Sequence, residues 1–418
     1  MITVGKPSVA MVGLGYIGLP TAAVIAASGC RVTGVDISPD IVDKLNRGEV
    51  HIEEADLDFL VAKLVAEGAL SGSVVVPKAD VFMIAVPTPA NGDEHVPDVG
   101  LVMNAAASVA PVLEAGNVVI LESTSPVGTT EAMRDLIGSL RPDLSMPSAD
   151  GDGDIAIAYC PERVLPGKII GELVSNDRVI GGLTTACSER ARDFYRLFVK
   201  GKCFIASAGV AEMTKLVENS FRDVNIAFAN ELSMISDRLG IDVWEVIRLA
   251  NRHPRVNILQ PGPGVGGHCI AVDPWFLVHS APDEACLIRT AREVNVAKTD
   301  HVIAKARKML NETQTPVACL GLAFKPDIDD FRESPALEIV RELAKDHAHR
   351  LRVCEPHAEE LPADLAAAGV SLVGLNDALE CETVILLVDH APFKAINAAR
   401  LTGKRVLDTR GAWRAARG

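Results

Sequence analysis

The segment SVAMVGLGYIGLP near the amino terminus constrains the fold more than any other part of the chain. A short apolar run leads into Gly13, Gly15 and Gly18 in GxGxxG spacing, with Tyr16 and Ile17 between the last two, and an alanine-rich helical stretch follows. In a strand–turn–helix unit the first glycine permits a tight turn, the second lets the backbone approach a pyrophosphate, and the third lets helix and strand pack closely. The pyrophosphate then rests on the helix N-terminus. The next apolar run, CRVTGVDIS, ends in Asp36, about twenty residues on, where an acid can bind a ribose 2′-hydroxyl. Asp36 would repel a 2′-phosphate, and Ile37 and Ser38 supply no cation beside it, so the expected cofactor is NAD rather than NADP.

The βα alternation continues through ADVFMIAVPTP, GNVVILESTSPVG and DIAIAYCPER, each an apolar run ending in polar or glycine-containing residues. Ligands collect at the carboxyl ends of such strands, which places Pro87, Thr88, Ser123, Thr124 and Glu162 at the expected cleft. From about Ala208 to His253 the apolar spacing becomes helical. Lys215, Asn219 and Arg222 fall there at i, i+4 and i+7, a spacing that stacks three donors on one helical face. A basic cluster, Arg248, Arg252, His253 and Arg255, follows. After about Asn311 a second βα series begins: TPVACLGLAFKPDIDDFRESPALEIV, RLRVCEPH, SLVGL, ETVILLVDH and KRVLDTRGAW. Its GLAFKP lacks the third glycine and suits a dinucleotide less, yet Lys325, Arg332 and Arg410 sit near strand ends as an expected diphosphate clamp. The expected fold class is α/β, with two Rossmann-like doubly wound domains joined by a long central helical region. The expected boundaries are 1–207, 208–310 and 311–418.

The chain's 418 residues are ample for several domains, and its net charge of −14 argues against a nucleic-acid surface. Nine cysteines at scattered spacings, with no CxxC pair, point to reduced thiols, with no disulfide framework and no metal site expected. No export signal or membrane-length apolar run is evident, so a cytoplasmic protein without membrane partners is expected. One cysteine has a distinctive setting. PGPGVGGHCIAVDPW puts Cys269 behind a glycine-rich loop read as flexible, flanked by His268 and Asp273, and ahead of a segment that can open a helix. A thiol with a pKa of about 8.5 is only a few per cent ionised at neutral pH, so such a nucleophile needs local assistance.

Taken together, GLGYIGLP, ESTSPVGTT, YCPERVLPG, KLVENSFRDVNIAFANEL, NRHPRVNILQPGPGVGGHCIAVDPW and GLAFKPDIDDFRESPA resemble the UDP-glucose/GDP-mannose dehydrogenase superfamily over nearly the whole chain. The resemblance implies a four-electron oxidation of a nucleotide sugar at C6, with two NAD reduced in turn and a cysteine thiohemiacetal and thioester on the path. The PERVLPG and HPRVNILQPGPGVGGHC forms imply UDP-N-acetyl-D-mannosamine as substrate and its uronate, for cell-surface polysaccharide, as product; UDP-N-acetyl-D-glucosamine and UDP-glucose are the alternatives. It implies Cys269 as nucleophile, Lys215 and Asn219 as oxyanion donors, and Asp273 as proton acceptor. Thr124 and Glu162 are expected to order water. Arg163, Val164, Arg222, His253, Arg255 and Gly266 match sugar-nucleotide contacts, and Arg255 is expected to reach a neighbouring subunit, which implies at least a homodimer. Two other classes share parts of this layout. A two-electron β-hydroxyacid dehydrogenase has no use for Cys269 or a second Rossmann-like half, and a non-catalytic nucleotide sensor has no use for a nucleophile.

Overall fold

The computed structural model describes residues 6–52, 54–92, 95–165, 167–267 and 269–413; His268 lies outside them. The chain divides into two compact units, Met1–Val217 and Glu218–Gly418.

The first unit is built on eight strands, β1 (Ser8–Val12), β2 (Arg31–Val35), β3 (Leu70–Ser73), β4 (Val81–Ile84), β5 (Val118–Leu121), β6 (Ala156–Tyr159), β7 (Arg178–Gly182) and β8 (Cys203–Ser207), in the order β8-β7-β6-β5-β4-β1-β2-β3. The interior strands β4, β5 and β6 are buried at every position, as their unbroken Val, Ile, Phe and Ala runs require of a sheet covered by helices on both faces. The order reverses between β1 and β4, which opens a crevice at their carboxyl ends. All neighbours are parallel except β6 and β7. That reversal decides what meets at the sheet edge. Tyr159 pairs with Gly181 and Ala158 with Gly182, so continuing the antiparallel register sets Glu162, just beyond β6, opposite Arg178, the first residue of β7.

The helix Ala208–Leu239 is a single element of 32 residues. Helical character does not run unbroken to His253, because Gly240, at φ +68°, ends this helix in the left-handed conformation glycine accommodates. A separate helix, Val243–Ala250, restarts from an N-cap at Asp242, whose carboxylate accepts the Trp244 amide.

The second unit holds a five-stranded parallel sheet, β9 (Val317–Leu320), β10 (Leu351–Cys354), β11 (Ser371–Leu372), β12 (Thr383–Leu386) and β13 (Arg405–Asp408), in the order β11-β10-β9-β12-β13. Beside it the helix Cys286–Asn311 buries Arg292 and Asn295. Arg292 donates to Asp223 at 2.6 Å and Asn295 to the same oxygen at 2.8 Å, so the buried charges are paired and hydrogen-bonded. No helix among the described residues is long and apolar enough to cross a membrane.

Candidate functional site

In the first unit the glycine turn does what its spacing requires. Gly13 adopts φ +95°, and a Cβ there would lie 2.6 Å from the Ala85 carbonyl oxygen. A Cβ on Gly18 would lie 1.8 Å from the Gly13 carbonyl oxygen, so helix Gly18–Ala27 can start only with glycine. Gly15 faces open space, as it must if a pyrophosphate is to approach the backbone. The Asp36 carboxylate accepts the Leu14 amide at 3.0 Å and the Ser38 amide at 3.0 Å, which locks turn and acid together. Ile37 beside it is 93% exposed, a bare apolar surface at the mouth of the crevice. Tyr16 is also exposed. Further along the strand ends Thr88 donates to the Thr124 carbonyl at 2.6 Å and Ser123 to the Val86 carbonyl at 2.7 Å, while Pro87 stands exposed. The crevice therefore carries Gly13, Gly15, Gly18, Asp36, Pro87, Thr88 and Thr124 on adjacent strand ends, around the expected NAD position.

Glu162 occupies the same edge, with its carboxylate turned inward. One oxygen accepts the Arg163 amide at 2.6 Å and the other is paired with the buried guanidinium of Arg178. Its main-chain carbonyl faces the other way and accepts from Lys215 Nζ at 2.8 Å. Both oxygens of the carboxylate expected to order water are thus held by protein, and the peptide carbonyl meets the lysine. Next to this pair is Glu122, 4% exposed. One of its oxygens accepts the Tyr195 hydroxyl at 2.7 Å, and the other has no hydrogen-bond partner. Burial, and then the nearby negative charge of Glu162, push the Glu122 carboxyl up to about 7, against the pull of Arg178 and Tyr195. Nothing in the sequence singled out Glu122, Arg178 or Tyr195.

In the second unit the loop before Cys269 is packed, not free. A Cβ on Gly264 would lie 2.3 Å from Thr299 Oγ1, one on Gly266 2.2 Å from the Glu333 carbonyl oxygen, and one on Gly267 2.8 Å from the Phe324 ring. At the start of the loop the Gly262 amide donates to Asn230 at 2.8 Å, and Asn230 in turn bonds Asn295 at 2.9 Å. The glycines thus buy close approach to a fixed wall. Cys269 is exposed, and its carbonyl accepts the Val272 and Asp273 amides at 3.1 and 2.8 Å, the turn that opens helix Asp273–Ser280. The Asp273 carboxylate, buried, accepts Asn219 Nδ2 at 2.5 Å. Asn219 and Asp273 are therefore brought together one helical turn from the thiol.

The remaining expected contacts are more dispersed. Arg222, His253 and Arg255 are exposed, and Val164 and Arg163 are half-buried, with Arg163 donating to the Asp177 carbonyl. Lys325 and Arg332 share the loop that follows β9; Arg332 forms a fork with Asp330 at 2.9 and 2.6 Å. Arg410, beyond β13, donates to Asp389 at 2.7 Å and lies against Gly262. Asp327, on the loop after β9, His357, on the loop after β10, and His390, on the loop after β12, bring ligand-type atoms within 4.8 Å of one another. His390 is committed to protein on both sides: Nδ1 accepts the Asp327 amide at 2.9 Å, and Nε2, which must then carry the proton, meets Glu355 at 3.2 Å. We read this group as a loop clamp.

Three successive stretches, residues 7–199, 209–297 and 318–415, match the NAD binding domain, the central domain and the UDP binding domain of one dehydrogenase family. The chain belongs to the UDP-glucose/GDP-mannose dehydrogenase family. It is an NAD-dependent dehydrogenase with a UDP-binding domain. This dehydrogenase is 54% identical over 413 residues, 98% of its length and 97% of the relative's, to an NDP-N-acetyl-D-galactosaminuronic acid dehydrogenase of Ralstonia nicotianae. It is also 54% identical over 397 residues, 94% of its length and 98% of the relative's, to a UDP-N-acetyl-D-mannosamine dehydrogenase of Campylobacter jejuni. Among solved structures it resembles the UDP-D-ManNAc dehydrogenase of Pyrococcus horikoshii, with a TM-score of 0.85 at 37% identity, covering 97% of this chain and 96% of that one.

Proposed function

We propose that this dehydrogenase oxidises UDP-N-acetyl-D-mannosamine at C6 to the uronate, reducing two NAD per sugar through a covalent intermediate on Cys269. The observation that carries the covalent step is an exposed thiol at a helix opening, one turn from the buried Asn219–Asp273 pair, in a chain whose other unit has the dinucleotide turn. The first hydride leaves C6 for NAD and gives an aldehyde. The Cys269 thiolate adds to it, and the thiohemiacetal passes the second hydride to a fresh NAD, leaving a thioester. Water cleaves the thioester to carboxylate and thiol, so one alcohol, two NAD and one water yield one carboxylate, two NADH and three protons.

In this reading Lys215 stabilises the alkoxide that forms at each step, Asn219 donates beside it, and Asp273 accepts a proton directly or through water. Lys325, Arg332 and Arg410 hold the diphosphate, and Arg163, Val164, Arg222, His253, Arg255 and Gly266 contact the sugar nucleotide. The three-part division at 207/208 and 310/311 follows the same reading, as does a cytoplasmic, reducing setting. A homodimer is favoured by the exposed stripe Val210, Val217, Phe221, Phe228 and Ile235, spaced by sevens and fours along one helix.

The equal identity to the Ralstonia relative favours a second reading, in which the sugar has the galacto configuration. One experiment tests both. NADH formed per sugar consumed is measured by absorbance and mass spectrometry with UDP-ManNAc, UDP-GalNAc, UDP-GlcNAc and UDP-glucose offered separately. Two NADH and a uronate from UDP-ManNAc alone is the expected result. Two from another sugar replaces the substrate, and one or none overturns the mechanism.

A further inference from the structure

The buried guanidinium of Arg178 has no part in the chemistry above, yet it lies two bonds of contact from the lysine that does. We propose that Arg178 is a positioning residue for Lys215: by anchoring the Glu162 carboxylate in the interior it fixes the peptide whose carbonyl holds the lysine's ammonium group. The proposal rests on the reading of Lys215 as the alkoxide stabiliser.

Arg178 is 1% exposed and Glu162 6%. Besides its bond to Glu162, Arg178 donates through Nη2 to the Leu173 carbonyl at 2.9 Å, and its guanidinium lies 5.8 Å from the centre of the Tyr195 ring. A fork held on two sides cannot swivel without leaving a buried charge unpaired. Glu162 is equally fixed, since its second oxygen takes the Arg163 amide at 2.6 Å. With the side chain pinned inward, the Glu162 carbonyl is presented outward, where it takes Lys215 Nζ at 2.8 Å. Lysine has a long flexible stem and no preferred geometry of its own, so a fixed acceptor decides where its charge sits. The antiparallel register of β6 and β7 is what makes the arrangement possible, because it brings the start of one strand beside the end of the other.

The arrangement needs only one carboxylate on the guanidinium. Glu122 lies on the next strand end, is bonded to Tyr195, and has an oxygen without a partner.

The test is Arg178→Lys in two backgrounds, wild type and Lys215→Ala, with kcat and KM for both substrates. The expected result is a fall in kcat of about 10-fold in the wild-type background, with both KM values within about two-fold, and no further loss once Lys215 is absent. An equal loss in both backgrounds shows that Arg178 acts elsewhere and overturns the proposal. Lys215→Ala with wild-type kcat would instead remove the reading of Lys215 on which it rests. Should Arg178→Lys give no folded protein, Arg178→Met combined with Glu162→Gln removes both buried charges and is judged by the same two criteria.

Discussion

Replacing Glu122 by Gln should change how the first unit's stability depends on pH, and the structure sets both sign and size. Glu122 is fully enclosed and holds its proton to about 7 instead of 4.5. As pH rises past 4.5 the unfolded chain gives up this proton while the folded protein keeps it, so folding loses ground until the folded carboxyl also ionises near 7. Over that window the wild type forfeits about 3 kcal/mol, and above it the loss is constant. Gln cannot ionise and escapes this entirely. It places an amide NH₂ where the unpartnered carboxyl oxygen was, which costs about 1 kcal/mol at every pH. Glu122→Gln is therefore expected to be about 1 kcal/mol less stable than wild type at pH 4.5 and about 2 kcal/mol more stable at pH 8. All three tyrosines, Tyr16, Tyr159 and Tyr195, lie in the first unit, and all three tryptophans, Trp244, Trp275 and Trp413, lie in the second. Urea unfolding followed by tyrosine absorbance thus reports the affected unit, and tryptophan fluorescence serves as the internal control. A stability difference that stays flat between pH 5 and 8 would refute the claim that Glu122 is held protonated.

Gly15→Ala should fold normally, since its Cβ meets open space, and should bind NAD about 10-fold more weakly. Gly18→Ala, with its Cβ 1.8 Å from a carbonyl oxygen, should disrupt the first unit itself; circular dichroism and NAD titration separate the two outcomes. Cys269→Ser should retain UDP-sugar and NAD binding by calorimetry yet stall as a slow or covalently trapped complex, and steady turnover at the wild-type rate would sink the thioester route. Lys298, buried against Ser233 and lowered to about 8 by desolvation, is neutral more readily in the folded protein than in the unfolded chain. Lys298→Met should accordingly stabilise the second unit by about 2 kcal/mol at pH 7, a gain that fades between pH 8 and 10.5, as read by tryptophan fluorescence.

The glycine turn, Asp36 and the two βα series were legible because their chemistry is local: each glycine answers to a contact within one strand–turn–helix unit. Cys269 and Asp273 were legible for the same reason, lying four residues apart. The partnership of Asn219 with Asp273 was not, since it spans 54 residues. Sequence spacing places Asn219 on the helical face of Lys215 and carries no sign of the carboxylate it meets. Arg178 and Glu122 stayed hidden for a further reason. Each abuts a run of Val and Ile that reads only as buried strand, and their meaning depends on β7 running antiparallel to β6, which periodicity does not reveal. The glycines before Cys269 were read as flexible because composition records what a residue permits. The cradle of Thr299, Phe324 and Glu333 shows what the position demands.

The two sheets repeat one turn. Gly13 and Gly321 both adopt φ +95°, their amides donate to the Val35 and Cys354 carbonyls at 2.8 and 2.9 Å, and the following amides of Leu14 and Leu322 reach Asp36 and Glu355 at 3.0 and 2.7 Å. The copies part at the next residue. Gly15 opens onto space, whereas its counterpart Ala323 is buried, and where Gly18 starts a helix Pro326 stands in a loop. Glu355, sealed by His390, no longer faces outward. The turn that stands open in the first sheet is, in the second, a doorway closed from within by its own side chains. The loop that stands in place of that helix start carries Phe324 and Glu333, so the second copy supplies the wall against which the glycines before Cys269 are seated.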